Sequence, residues 1–112
     1  MMADTRNKRN NERTHALKPV RITLKDHPFQ LNDISNEGIG IVLDKDGPQF
    51  FIGERIEKIP IPLQSGTVYL MGIVSHISVN ANCTVCGIRF LFNGEDFPSV
   101  VQFKKECTDP IQ

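Results

Sequence analysis

Apolar and polar positions alternate with a two-residue period along most of this chain. Val20, Ile22 and Leu24 interleave with Arg21, Thr23 and Lys25, the pattern of a half-buried strand. Asp26-His27-Pro28 reads as a turn, and Phe29-Gln30-Leu31 as the start of a second strand. Ile39-Gly40-Ile41-Val42-Leu43 gives a third, closed by Asp44-Lys45-Asp46-Gly47-Pro48. Ile59, Ile61 and Leu63 repeat at the same spacing. Pro60 and Pro62 share the opposite face and have no N–H to donate, so this fourth strand is expected at a sheet edge or a bulge. Thr67–Val79 is a long β-branched stretch interrupted by Gly72. Asn80-Ala81-Asn82 turns it into Cys83–Phe92, where Cys86, Ile88, Phe90 and Phe92 share one face and Arg89 the other. Asp96 is then placed to cap a short final helix, with Pro98 in its first turn. Phe97, Val100, Val101 and the stem of Lys104 form its expected buried stripe. Six short strands followed by one helix predict an all-β fold, a six-stranded antiparallel β-barrel with a short C-terminal α-helix.

Residues 1–15 lack this periodicity and read as a flexible basic arm, leaving 16–108 for the barrel and helix. A length of 112 residues suits one such domain. The net charge of zero conceals a split. Residues 1–25 carry seven basic groups against two acids, a net +5, and the remainder carries −5. That concentration of positive charge is suited to gathering an anionic partner.

Several function classes lose support. No apolar run approaches the roughly 18 residues of a membrane span, and no apolar stretch follows the basic residues near the start, so a cytoplasmic chain without membrane insertion is expected. Three cysteines are an odd number, which disfavours a disulfide framework. Cys83-x-x-Cys86 has no second ligand pair for zinc, and strand residues three apart point to opposite faces. His15, His27 and His76 are widely spaced, the serines form no Gly-x-Ser-x-Gly elbow, and no glycine-rich phosphate loop is present. The chain is therefore expected not to be an enzyme, and to need no metal or cofactor.

Two short segments stand apart. Arg9 and Arg13, with Lys8 before them, place two planar guanidiniums four residues apart on the arm, each able to grip a phosphate or a guanine edge. Asp33-Ile34-Ser35-Asn36-Glu37-Gly38 lies at the bend between the second and third strands. There Asp33 can accept from the N1–H and N2–H₂ edge of guanine. Ser35 can bond a ligand or close the turn on its own backbone, and Gly38 allows a positive φ or a close backbone approach.

Arg-x-x-x-Arg followed by Asp-x-Ser-x-x-Gly, about twenty residues apart and before a small barrel, resembles the PilZ domain family. Gly53 ahead of the Ile59–Leu63 strand and Cys86-Gly87-Ile88-Arg89-Phe90 agree with it, and the likeness spans roughly residues 8 to 105. The resemblance implies a PilZ-like barrel that binds the bacterial second messenger cyclic di-GMP and couples it to a protein partner of unknown identity. It implies ligand contacts at Arg9, Arg13, Asp33, Ser35 and Gly38, to which Lys8 and His76 are added. His76 stands where some relatives carry Trp. Two other readings use the same features: a degenerate PilZ domain serving only protein interaction, and a small nucleic-acid-binding barrel. With no Trp and one Tyr, stacking surfaces for the latter are scarce, and no nucleic-acid partner is expected.

Overall fold

The computed structural model describes residues 19–91 and 96–108, together with the backbone of Thr14–His15. The alternating segments become strands β1 (Thr14–His15), β2 (Arg21–Leu24), β3 (His27–Ile34), β4 (Gly38–Leu43), β5 (Arg55–Leu63), β6 (Gly66–Val79) and β7 (Thr84–Leu91), followed by helix α1 (Phe97–Thr108). Every strand pairing is antiparallel, in the order β1-β3-β4-β7-β6-β5, and β2 pairs with β3 as well. β2 also packs against β5, so the six strands β2–β7 form a nearly closed barrel. β5 is the edge strand of this ladder, where Pro60 and Pro62 leave no N–H to be satisfied, as their spacing predicted. Its bulge falls between Ile56 and Ile59.

Most inward positions are those the two-residue period marked, and Ile34 and Val74 join them. Ile22, Phe29, Ile34, Ile39, Ile41, Ile59, Ile61, Val74, Cys86 and Ile88 are all essentially inaccessible. Gly72 also turns inward. A Cβ there would lie 2.8 Å from both Ile59 Cδ1 and Ile88 Cγ2, so the core has no room for one. α1 closes one end of the barrel with Val100, Phe103 and Cys107. The stripe expected from Phe97 and Val101 is thus turned outward, at 38% and 42% exposed. Spacings of three and four residues, Val100–Phe103–Cys107, put the Phe103 ring in the barrel mouth instead. Asp96 stands at the helix start, where its carbonyl accepts from the Ser99 and Val100 N–H groups.

Two sequence boundaries move. The turn after β2 is Lys25-Asp26 rather than Asp26-His27-Pro28, and His27 and Pro28 belong to β3. Both turn residues have positive φ, 53° and 62°, the conformation a two-residue hairpin requires but one that lysine seldom adopts. Tertiary contacts hold it there. Lys25 Nζ donates to the Gln49 carbonyl at 2.5 Å, pairs with Glu54 at 2.7 Å and lies 4.2 Å above the Phe50 ring. The second shift concerns Thr14–His15, expected in the arm, which pair with Ile34 and Asp33 of β3. The expected flexibility of residues 1–13 lies outside the described residues, as does Phe92.

Gly38 begins β4 where β7 comes closest. A Cβ on it would run into the Ile88 carbonyl oxygen and lie 3.0 Å from the Arg89 Cα, both backbone atoms that cannot swing away. Its φ is not positive, so close approach alone demands the glycine. Gly38→Ala is expected to destabilise the fold by about 1–3 kcal/mol, as overpacking does, read from urea unfolding midpoints at unchanged slope. Thiol reactivity gives an independent check. Burial, with Glu54 nearby, pushes the Cys86 thiol up to about 11, and Cys107 is equally buried. In the native chain at neutral pH, Cys83 should be labelled by a thiol reagent long before either of them, with equal labelling rates contradicting this packing.

Candidate ligand-binding face

The bend between β3 and β4 is built by Ser35. Its N–H donates to the Gly38 carbonyl at 2.9 Å, and its hydroxyl oxygen accepts from the Glu37 N–H at 3.2 Å. The Glu37 carbonyl in turn accepts from the Phe90 N–H at 2.7 Å, tying the bend to β7. Ser35 is 2% exposed. Of the two roles open to it in sequence, the structure thus displays turn closure.

Just before this bend, a register shift between Leu31 and Asp33 re-aims the Asp33 side chain. Asn32 Nδ2 donates to Asp33 Oδ2 at 2.7 Å, and the carboxylate lies over Gly40. A Cβ on Gly40 would be 2.6 to 2.9 Å from the carboxylate atoms. A second irregularity, between Val74 and His76 on β6, does the same for His76. That imidazole lies over Gly87, where a Cβ would come within 2.5 Å of Nδ1 and 2.6 Å of Nε2. Ser75 supports it. Its hydroxyl donates to the Gly87 carbonyl at 3.2 Å and sits 3.3 Å from His76 Nδ1.

The ladder joins these groups into one row. Asp33 is opposite Gly40, Gly40 opposite Gly87, and Gly87 opposite His76. Directly paired residues project from the same face. The next row on that face holds Gly38 and the exposed Arg89. Asp33, Gly38 and His76 are therefore brought together on the outside of the barrel, with Ser35 buried under the adjoining bend. Lys8, Arg9 and Arg13 lie outside the described residues.

The face offers a carboxylate acceptor, an imidazole, a guanidinium at Arg89 and a floor without side chains. Sequence reasoning left out Gly40, Gly87 and Arg89 as site residues. The one local hint was glycine at alternate positions, Gly38-Ile39-Gly40, on the outward side of a buried strand. Among the described residues no group of three or more histidine, cysteine or acidic side chains is placed to hold a metal ion. Cys86 faces the core, while Cys83 is half-exposed ahead of β7. Cavities of about 450 and 400 Å³ lie elsewhere, along the line where β2 meets β5.

Comparison with known proteins places this geometry. The family model for the PilZ domain matches residues 7–99. The fold is similar to that of the PilZ domain of YcgR from Escherichia coli with c-di-GMP, with a TM-score of 0.68 at 22% identity, covering 89% of this chain and 91% of that one. It is similar to the Bacillus subtilis inhibitor of motility MotI, with a TM-score of 0.63 at 23% identity over 88% of this chain. It is also similar to K. pneumonia MrkH in its c-di-GMP complex, with a TM-score of 0.67 at 14% identity over 84%. The chain spans about half the length of those last two proteins, 50% and 49%. No curated protein sequence matches it significantly. With the family's own pattern extending over most of its 112 residues, this chain belongs to the PilZ domain family.

Proposed function

We propose that this chain is a non-catalytic receptor for cyclic di-GMP, which it holds between its basic arm and the outer face of β3, β4, β7 and β6. The observation that carries this reading is the pairing of β1 with β3. Thr14, the residue after Arg13, is opposite Ile34, and His15 is opposite Asp33. Chain continuity thus roots the Arg-x-x-x-Arg segment beside the Asp33–Gly38 bend. The chain that leads out of the Arg-x-x-x-Arg segment therefore enters the sheet beside Asp33 and Ile34.

The chemistry is complementary. Cyclic di-GMP carries two phosphate charges and two guanines. Arg9 and Arg13 supply paired donors for phosphate or a guanine edge, and Lys8 adds a point charge. Asp33 accepts from the guanine N1–H and N2–H₂, and His76 offers a ring to stack against a base. Ser35 and Gly38 contribute by fixing the bend from which Asp33 projects. The solved structures of YcgR and MrkH with c-di-GMP support the choice of ligand.

Residues 1–13 lack the apolar pattern that would offset the entropy of ordering, at about 1–2 kcal/mol per residue. Only the ligand completes contacts to both arm and face, so its binding orders the arm and presents a new surface to a protein partner. The cost of ordering some residues of the arm keeps the affinity in the micromolar to sub-micromolar range rather than picomolar.

Calorimetric titration with cyclic di-GMP tests this, with GMP and a single-stranded oligonucleotide as controls. Arg9→Ala and Arg13→Ala should each cost about 1.5–3 kcal/mol of binding without lowering the melting temperature of the free chain. Asp33→Asn, which keeps an acceptor, should cost less than Arg13→Ala. Wild-type affinity in the Arg9/Arg13 double variant would remove the arm from the site. Amide hydrogen exchange tests the switch separately. Protection should rise on binding at residues 8–16 and 33–38 and stay level across Val68–Val74. An arm protected to the same degree with and without ligand would contradict it.

A further inference from the structure

Glycine is costly inside a strand, and four glycines of this barrel occupy strand interiors or starts where no positive φ explains them. Two are accounted for by packing: Gly72 by the core side chains Ile59 and Ile88, and Gly38 by the β7 backbone. Gly40 and Gly87 are different. They are adjacent on the outer face, and what fills the space of their missing Cβ atoms is in each case a chemically active side chain, the Asp33 carboxylate and the His76 imidazole.

We infer that Gly40 and Gly87 are positioning residues for ligand recognition, notches that seat Asp33 and His76 low against the sheet and side by side. This rests on the cyclic di-GMP reading above. Strands neighbouring in a sheet are about 4.8 Å apart, so the two seats are one strand spacing apart. A guanine stacked on the seated imidazole therefore turns its donor edge to the seated carboxylate. The bulges at Leu31/Asp33 and Val74/His76 re-aim the two side chains, and the glycines determine how far they come down. A methyl group at either site would have its three nearest atoms all in the seated side chain rather than in backbone. It would lift a movable side chain, leaving the fold in place and the recognition geometry displaced.

This predicts a specific coupling, because Gly87 acts through His76 alone. Four chains would be titrated with cyclic di-GMP by calorimetry: wild type, Gly87→Ala, His76→Ala and the double variant. Gly87→Ala should bind about tenfold more weakly, the scale of one lost base–ring stacking contact, and His76→Ala should lose a similar factor. In the His76→Ala background, adding Gly87→Ala should change affinity less than twofold. The ring should also report its seat without ligand, with the His76 imidazole NMR resonances shifting in free Gly87→Ala while the melting temperature holds. Gly40→Ala and Asp33→Asn should show the same non-additivity.

Wild-type affinity in Gly87→Ala would overturn the inference. So would a tenfold loss that persists in the His76→Ala background, since Gly87 would then meet the ligand itself. Absence of cyclic di-GMP binding by the wild-type chain would overturn the functional reading and this inference with it, whereas binding indifferent to Gly87 would overturn this inference alone.

Discussion

The pairing of β4 with β7 is the constraint on which the rest depends. Six consecutive residue pairs, from Gly38–Arg89 to Leu43–Thr84, run in register without a bulge. On the inner side this ladder sets Ile39 against Ile88 and Ile41 against Cys86, the middle of the core. On the outer side it sets Gly40 against Gly87 and Gly38 against Arg89. A slip of one residue would bury the glycines' face and expose the isoleucines, so core and site are held by the same register. The irregularities fall on the outer partners instead, at Asp33 and His76, where each re-aims a side chain of the candidate face. The centre is regular and its flanks are bent.

The same division explains what the sequence made legible. Strand identity was readable wherever one face is buried, because a two-residue period survives any tertiary arrangement: Ile22, Leu24, Ile39, Ile41, Ile59, Ile61 and Ile88 all face inward. Asp33, Ser35 and Gly38 were readable because their spacing is local. Gly40 and Gly87 were not, since their significance arises only when positions 47 residues apart are laid side by side. The Lys25-Asp26 turn escaped for a related reason. Nothing in those two residues favours positive φ in lysine, and the contacts that hold it come from Gln49, Phe50 and Glu54. The helix face was misjudged where two stripes, through Val101 or through Phe103, were nearly equal in sequence. Joint burial of Val100, Phe103 and Cys107 decides between them.

Ser35 and Gly38 illustrate how a family motif can be structural in part. Ser35 is enclosed by its own turn, and Gly38 is fixed by the proximity of β7. Neither role requires direct ligand contact, because both residues shape the bend from which Asp33 projects. Seen this way, the face is two aimed side chains on a glycine floor, supported by a bend and adjoining the root of a basic arm. In the proposed receptor, the arm supplies charge and planar donors and the barrel supplies aim.

That account is tested most directly by mapping where the ligand binds. In a backbone amide NMR titration of the full chain with cyclic di-GMP, the largest shifts should fall at Asp33–Gly40, at Ser75–His76 and Gly87–Arg89, and in the arm around Arg9–Arg13. Residues lining the cavities where β2 meets β5, such as Thr23, Lys58 and Pro62's neighbour Leu63, should hardly move. Shifts concentrated along that β2–β5 line, with Gly40 and Gly87 unmoved, would contradict the assignment of the outer β4–β7 face as the site.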